Sequence, residues 1–167
     1  ISVGYNVSEY SKYKYIDYVD WEQNWFDSKE YEKSINYWKT QFDPIPENIK
    51  LPMDNNRPPI ITGNGKMVKG LIENDAKNII QKFSKKNSVT DFHTLYSALC
   101  ILLFKYSQQN EIVIGVPVAN RNIKEFQDTL GLFLNTLPFK TKIDPESTFQ
   151  EMVSSVKDQT NKNLTHQ

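Results

Sequence analysis

The sequence has few of the residues on which most catalytic and metal sites depend. Its 167 residues include one cysteine, Cys100, and two histidines, His93 and His166. A single cysteine excludes an internal disulfide, and its apolar neighbours predict a small buried side chain. Cys100 follows His93 by two helical turns, which is too far for a thiolate–imidazole pair, and no cluster of ligand residues predicts a metal site. We expect His93 to be solvated or a satisfied core group, and His166 to fray.

The chain has no formal net charge and few arginines, and its apolar runs are short. Twenty basic residues balance twenty acidic ones, and only Arg57 and Arg121 are arginines. This balance gives no electrostatic reason to expect binding to nucleic acid or to an anionic membrane. No apolar run is long enough to span a bilayer, and Ile1 opens no signal-peptide pattern. We therefore expect a cytoplasmic protein.

Aromatic residues are abundant and compensate for a modest aliphatic content. They make up 13% of the chain, with nine Tyr, nine Phe and three Trp. Large aromatic side chains bury much apolar surface, and a chain of this length suits one domain. We therefore expect a single domain over residues 1–167.

The first third of the chain predicts helices followed by an extended connection. Aromatic residues at helical spacing between Tyr10 and Phe42 indicate one or two amphipathic helices, with a break near Asp27–Ser28. Five prolines between Pro44 and Pro59 then exclude helix.

A strand and two helices are predicted next. Lys66–Ile72 has the composition of a strand after a Gly-Asn-Gly turn. The first helix is capped by Asn74 or Asp75 and carries an apolar stripe. Ser88 and Asp91 have the spacing of a capping box for the second helix, which is apolar on most sides and is expected to be central.

The last third predicts two strands and a helix. "EIVIGVPV" (Glu111–Val118) reads as a buried strand, and the later half of "LGLFLNTLPFK" (Leu130–Lys140) reads as another. Asp144–Pro145 turns the chain, and Ser147 with Gln150 suggests a capping box for the last helix. The pattern predicts an α/β fold in which helices cover one sheet.

Sequence patterns that would indicate a catalytic or binding site are weak. "TGNGKMVKG" lacks the spacing of a phosphate-binding loop and precedes a strand. Asp17 and Asp20 lie among aromatic residues that could raise a carboxyl pKa, but a helix-surface position explains them as well. Residue patterns alone support no more than a soluble α/β domain.

Four stretches together resemble the condensation domains of nonribosomal peptide synthetases. "YKYIDYVDW" (Tyr13–Trp21) is similar to the family's Tyr-x-Asp-Tyr-Ala-x-Trp through Tyr15, Asp17, Tyr18 and Trp21, whereas Asp20 departs from it. The others are "LPMDNNRPP", "FHTLYSALCILLFKYSQQNEIVIGVPVANR" and "LGLFLNTLPFK", which occur in the family's order.

The resemblance implies the C-terminal lobe of a condensation domain with a chloramphenicol-acetyltransferase-like fold. The family's catalytic His-His-x-x-x-Asp-Gly motif does not occur in the sequence, so we expect no catalytic residue here and an inactive lobe by itself. The expected partners are an N-terminal lobe, upstream and downstream carrier domains, and a neighbouring adenylation domain. No cofactor is expected to bind directly, because the carriers' phosphopantetheine arms hold the acyl and aminoacyl thioesters that the family joins.

The resemblance also suggests roles for individual residues. Asn135, with Thr136 beside it, would face the substrate tunnel, where its amide could position a carbonyl or could instead pin the local backbone. Arg57 could pair across the lobe interface or cap local carbonyls, and Arg121 could anchor the next loop. Interface or structural roles are expected for Tyr15, Asp17, Tyr18 and Trp21. Lys140 replaces a common arginine and lacks its bidentate fork.

Three functions remain open. The leading hypothesis is a lobe of an amide-forming enzyme. A related acyltransferase that forms esters is the second, and a non-catalytic module that binds a carrier domain is the third.

Overall fold

The computed structural model describes residues 12–56, 58–60 and 62–167. Its helices are α1 (Tyr15–Phe26), α2 (Lys29–Gln41), α3 (Asn74–Lys86), α4 (Asp91–Ser107) and α5 (Phe149–Thr165). Its strands are β1 (Glu111–Val118) and β2 (Asn135–Lys142), with one 3₁₀ turn (Lys124–Phe126) between them. The α/β class is confirmed.

The chain forms two compact units. The first contains the described residues of Ile1–Pro46, Ile114–Phe139 and Lys162–Gln167, and the second contains the described residues of Glu47–Val113 and Lys140–Asn161. The unit boundaries therefore fall inside β1, β2 and α5. The expectation of one domain over residues 1–167 stays a prediction.

In the first unit, α1 and α2 are separated where the sequence predicts a break. Ser28 is extended and its side chain accepts a hydrogen bond from the Tyr31 N–H at 3.2 Å, so it starts α2 as an N-cap. Asp17 accepts from the Lys14 N–H at 2.7 Å and completes a capping box for α1. A buried aromatic cluster in this unit contains Tyr18, Phe126 and Phe133.

In the second unit, both helix starts differ from the sequence prediction. Glu73, not Asn74 or Asp75, precedes α3 as an N-cap without a side-chain hydrogen bond. Thr90 caps α4, and its partner in the capping box is His93. Ser88 cannot cap α4 because its φ of 53° places it in the left-handed region, two residues before the true cap.

The buried face of α4 is not its most apolar face. The buried residues are His93, Thr94, Tyr96, Ser97 and Cys100. Phe92, Leu95, Leu99, Leu102 and Tyr106 are exposed. The expectation of a central helix was wrong for the described residues, because one face is covered and the face with the larger number of apolar side chains is exposed. The prediction of a buried Cys100 is confirmed.

The two strands pair in a two-stranded sheet. The Ile143 N–H donates to the Asn110 carbonyl at 2.7 Å, and Gly115 faces Thr136, so the strands are antiparallel. The prediction that β1 is a buried strand was wrong, since Ile112 is its one buried residue and the others are half-buried or exposed.

No strand forms at Lys66–Ile72, contrary to the sequence prediction. These residues are exposed, and no hydrogen bond joins their backbone to another described residue. The segment has strand-forming side chains, but a strand also needs a neighbour for its backbone groups.

The cap of the last helix, Thr148, lies one residue after the predicted cap, Ser147. Thr148 Oγ1 accepts from the Glu151 N–H at 3.3 Å, and Glu151 accepts from the Thr148 N–H at 2.8 Å. This reciprocal pair replaces the predicted Ser147–Gln150 box, although both pairs have the spacing and the residue types of a capping box. The predicted apolar stripe of α5 is buried at Met152, Val153 and Val156.

Across the described residues, the helices are too short or too polar for any of them to cross a bilayer.

Candidate functional site

A cleft of about 550 Å³ lies within the first unit. Its volume is in the range of small-molecule sites. Aromatic side chains form much of its lining: Tyr18, Trp21, Trp25, Phe26, Tyr31 and Trp38. Asn120, Asn122 and Asn135 add amide groups, and Glu22 and Glu30 add carboxylates. The cleft therefore combines apolar surface with several hydrogen-bonding groups.

Helix α1 supplies one wall through residues at i, i+3, i+4 and i+7. Tyr18, Trp21, Glu22 and Trp25 have this spacing, which places them on one face of the helix. The Tyr18 and Trp21 rings stack with centroids 5.8 Å apart, and the Trp21 and Trp25 rings stack at 6.1 Å. The wall is thus a continuous row of rings.

Tyr18 is the polar centre of this wall. Its hydroxyl donates to Glu22 at 2.9 Å and accepts from the Asn120 side chain at 3.3 Å. Burial raises the pKa of Tyr18 to about 12, and the adjacent Glu22 carboxylate adds to the rise. The hydroxyl consequently keeps its proton at neutral pH and acts as a fixed hydrogen-bond donor.

Asn135 lines the cleft from the first position of β2. Its Oδ1 accepts from the Thr136 N–H at 2.8 Å, which fixes the orientation of the amide. No described residue forms a hydrogen bond with Asn135 Nδ2, and the side chain is exposed. Asn135 therefore presents the N–H donor of Nδ2 in the cleft, while Oδ1 binds the backbone of Thr136.

Thr136 does not line the cleft. Successive side chains of a strand point to opposite faces, so Thr136 faces away from Asn135. Its Cγ2 would lie 3.1 Å from a Cβ added to Gly115 on β1. Leu137, two residues after Asn135, returns to the cleft.

His166 closes another side of the cleft and is not frayed, contrary to the expectation. Its ring stacks on Tyr37 with centroids 4.2 Å apart, and Nδ1 lies 3.3 Å from Ser34 Oγ. The Trp38 indole N–H donates to the His166 carbonyl at 2.8 Å. These contacts hold His166 as a structural part of the wall.

Arg121 organises the loop before β2. Its guanidinium donates to the carbonyls of Phe126, Gln127, Thr129 and Gly131 at 2.8–3.4 Å. It also lies 4.1 Å from the centre of the Phe133 ring, a cation–π distance. Arg121 thereby fixes the path of the chain that leads to Asn135. Arg57, the other arginine, lies outside the described residues.

Tyr15 and Asp17 support α1 and are not part of the cleft lining. Tyr15 Oη donates to the Leu132 carbonyl at 2.8 Å, and its ring meets Phe133 edge-on at 5.3 Å. A Cβ on Gly131 would lie 2.8 Å from the Tyr15 ring carbons Cγ and Cε2, so this close approach requires glycine.

The predicted candidates therefore divide into two groups. Tyr18, Trp21 and Asn135 line the cleft together, while Tyr15, Asp17 and Arg121 hold its surroundings. Sequence reasoning missed Trp25, Glu22 and Trp38, although the helical spacing of Trp25 and Glu22 with Tyr18 was available as a signal. The contribution of His166 depends on contacts distant in sequence and had no local signal.

The remaining titratable candidates lie in the second unit and are poor catalysts. His93 is buried, and its Nδ1 accepts from the Thr90 N–H at 3.1 Å. Burial raises the pKa of the Cys100 thiol. Among the described residues, no group of three His, Cys, Asp or Glu side chains could hold a metal. The cleft geometry supports binding and orientation through its rings and hydrogen-bond donors.

Comparison with known proteins agrees with the motifs. A family model described as Condensation domain matches residues 2–167. The chain is 32% identical over 154 residues to one of the linear gramicidin synthase proteins of Brevibacillus parabrevis, covering 92% of this chain. It is 34% identical over 148 residues to bacitracin synthase 1 of Bacillus licheniformis, covering 88% of this chain. In both cases it spans 3% of the length of the relative.

Solved structures show the same fold. A holo four-domain nonribosomal peptide synthetase bound to AMP and glycine matches with a TM-score of 0.78 and 27% identity, over 83% of this chain and 11% of that one. The first condensation domain of the calcium-dependent antibiotic synthetase, with a substrate analogue, matches with a TM-score of 0.75 and 21% identity. That match covers 89% of this chain and 32% of that one.

Proposed function

Because the chain belongs to the condensation-domain family of nonribosomal peptide synthetases, we propose that it forms the substrate-positioning lobe of an amide-forming site. Carrier-bound acyl and aminoacyl thioesters are the proposed substrates. Their phosphopantetheine arms would bring them to the cleft, and no directly bound cofactor is needed. Proton transfer is assigned to a histidine motif outside this sequence, so this lobe is proposed to be inactive alone. An N-terminal lobe, carrier domains and an adenylation domain are its proposed partners in the cytoplasm.

The observation that supports this proposal is the free N–H donor of Asn135 in the aromatic cleft. Its amide is oriented by the bond from the Thr136 N–H to Oδ1, so Nδ2 requires no reorganisation to donate. A thioester or amide carbonyl is a suitable acceptor for such a donor. The ring wall of Tyr18, Trp21 and Trp25 provides apolar surface for the attached chain.

The test is Asn135→Ala in the complete condensation domain, with carrier-loaded donor and acceptor thioesters. Loss of one neutral hydrogen bond to the reacting carbonyl should lower the rate of amide formation about tenfold, which corresponds to about 1.4 kcal/mol. Asn135→Asp, which keeps the size but replaces the N–H donor with an acceptor, should not restore the rate. The free energy of unfolding should change little, because the side chain is exposed.

Asn36→Ala is the matched control. Asn36 is exposed on α2 in the same unit and does not line the cleft. It should leave turnover unchanged. A rate that follows only the folded fraction of Asn135→Ala would contradict the positioning role.

The same assay separates the alternative functions. An alcohol acceptor that is used in preference to an aminoacyl thioester would favour an ester-forming acyltransferase. Saturable carrier binding without turnover by the complete domain would favour a non-catalytic binding module.

A further inference from the structure

Glu22 is a half-buried carboxylate surrounded by rings on the α1 wall of the cleft. Its neighbours on the helix surface are Tyr18, four residues before it, and Trp25 and Phe26, three and four residues after it. All three also line the cleft. The Tyr18 hydroxyl donates to Glu22 Oε1 at 2.9 Å, which holds the carboxylate among these rings. No described residue donates to Glu22 Oε2, so this oxygen is available to a ligand.

The negative charge of Glu22 has no partner of opposite charge within the described part of the chain. No ion pair there includes Glu22 or Glu30, the two carboxylates of the cleft lining. The lining contains one lysine, Lys33, which is exposed on α2, so carboxylates outnumber ammonium groups by two to one. A half-buried carboxylate has lost part of its hydration, and an opposite charge compensates for that loss. The cleft therefore favours a cationic ligand.

The rings around Glu22 favour an organic cation in particular. Trp21, Trp25 and Trp38 line the cleft, and the face of an indole ring attracts ammonium and guanidinium groups. The Trp25 ring also meets the Tyr31 ring edge-on, with centroids 5.1 Å apart, which restrains its orientation. The methylene groups of a long basic side chain can pack on such rings while its charged end reaches the carboxylate.

The chemistry of amide formation indicates which cation of a substrate belongs here. An amine attacks a thioester only in its uncharged form, and a neighbouring carboxylate would stabilise the charged form instead. A lysine-type side chain has a pKa of about 10.4 and stays charged at neutral pH. Glu22 on α1 and Asn135 on β2 line the same cleft from different elements. One can therefore hold a side chain while the other addresses a carbonyl.

We propose that Glu22 and the surrounding rings form a subsite for the cationic side chain, an ammonium or a guanidinium, of a carrier-bound substrate. The Glu22 carboxylate binds the charge, and Trp21 and Trp25 pack against the methylene groups. The lobe thereby selects basic aminoacyl or peptidyl groups over uncharged groups of the same length. This inference rests on the proposed function for the identity of the substrate, but cation binding in the cleft can be measured without turnover.

Turnover by the complete condensation domain tests the selection. Carriers are loaded with lysine or with norleucine, which lacks only the terminal ammonium, in the donor and then in the acceptor position. In one of these positions, kcat/KM should be at least about tenfold higher for lysine. Glu22→Gln should remove most of this preference, and its Oε1 can still accept from the Tyr18 hydroxyl. Equal values for the two substrates in both positions would overturn the proposal, as would a preference that Glu22→Gln leaves unchanged.

Glu32→Gln is the matched control, because it makes the same chemical change at an exposed position of α2 that does not line the cleft. It should keep the preference for lysine. A loss as large as that of Glu22→Gln would show that the total charge of the domain sets the preference, and would overturn the subsite.

Binding of free probes separates the subsite from the proposed function. The methylamides of Nα-acetyl-lysine and Nα-acetyl-norleucine carry the same two side chains without a thioester. In a titration of the complete domain followed by NMR spectroscopy, the lysine probe should bind at least about tenfold more tightly, and Glu22→Gln should abolish the difference. This result without any amide formation would support the subsite and contradict the proposed function. Amide formation that depends on Asn135, with equal binding of the two probes, would support the proposed function and overturn the subsite.

Discussion

Gly131 and Tyr15 approach each other too closely for a Cβ atom between them. Gly131→Ala would place its methyl group 2.8 Å from two carbons of the Tyr15 ring. We expect a loss of about 1–2 kcal/mol in the free energy of unfolding, because the ring must move and lose its bond to the Leu132 carbonyl. Urea unfolding measures this loss.

Gly65→Ala is the matched control for this substitution. A Cβ at Gly65 meets nothing within 4 Å, and its φ is not in the left-handed region. It should leave stability unchanged or raise it by up to about 1 kcal/mol. In a Tyr15→Ala background, the cost of Gly131→Ala should fall; an undiminished cost would refute the close-contact explanation.

His93 should make stability depend on pH. Burial lowers the pKa of His93, and the Lys157 ammonium lowers it further. The unfolded chain should have an ordinary pKa of about 6.5. As the pH falls below that value, the unfolded state binds a proton that the folded state does not, so stability falls towards the folded-state pKa. Above about pH 6.5 both states are neutral and this contribution is constant.

His93→Gln isolates the effect, since glutamine can still accept from the Thr90 N–H in the capping box. Between about pH 7.5 and about pH 5, the natural sequence should lose more unfolding free energy than His93→Gln. Chemical unfolding at several pH values provides the measurement. Parallel pH curves for the two proteins would be evidence against a lowered pKa in the folded state.

At the scale of elements, the start of α5 depends on Thr148. Thr148→Ala removes the acceptor for the Glu151 N–H and should cost about 1 kcal/mol in the free energy of unfolding. Ser147→Ala, at the neighbouring position, loses only an exposed bond to the Asp144 carbonyl and should stay within about 0.5 kcal/mol. Thermal unfolding followed by circular dichroism compares them. A larger loss for Ser147→Ala would mean that α5 begins elsewhere.

Helix existence was predictable from the sequence, while helix starts and covered faces were less so. The breaks and stripes of α1, α2 and α5 follow from aromatic and apolar spacing. Thr90, whose backbone is extended, caps α4 in place of Ser88, whose φ is 53°. Thr148 caps α5 in place of Ser147. Composition does not distinguish these threonines from the nearby serines. The face of α4 was misjudged because apolar residues surround it, so periodicity selects no side. The composition of residues 66–72 indicates a propensity for strand, but it does not indicate whether a neighbouring strand is present to pair with them.

At the scale of the molecule, an exposed apolar stripe along α4 should control behaviour of the 167-residue chain by itself. The stripe contains Phe92, Leu95, Leu99, Leu102 and Tyr106. We expect the chain alone to bind a hydrophobic dye and to self-associate, because the stripe is uncovered. Leu95→Gln with Leu102→Gln should reduce both. Dye fluorescence and light scattering measure these properties.

The matched control is Leu130→Gln with Leu132→Gln, which changes two exposed leucines in the first unit. It should reduce dye binding less than the α4 pair. If the chain alone is a monomer that binds no dye, the stripe does not cause self-association.

In the candidate site, only features that depend on residue type or on neighbours in sequence were predictable. The motifs that identify the family contain Tyr18, Trp21 and Asn135, and the structure brings them to one cleft. The N–H donor of Asn135 was foreseeable from residue type, and Trp25 from helical spacing. The positions of Asn120 and His166 depend on pairs more than 100 residues apart, such as Asn120 with Tyr18. Local patterns carry no information on such pairs.

The hydrogen bonds of Arg121 have a consequence for how this fold can diversify. All four acceptors are main-chain carbonyls between Phe126 and Gly131, and every residue type has such an oxygen. The exposed side chains of Gln127 and Asp128 can therefore change without altering the path of the loop. A single guanidinium thus makes the shape of this loop independent of the surface chemistry at these two positions.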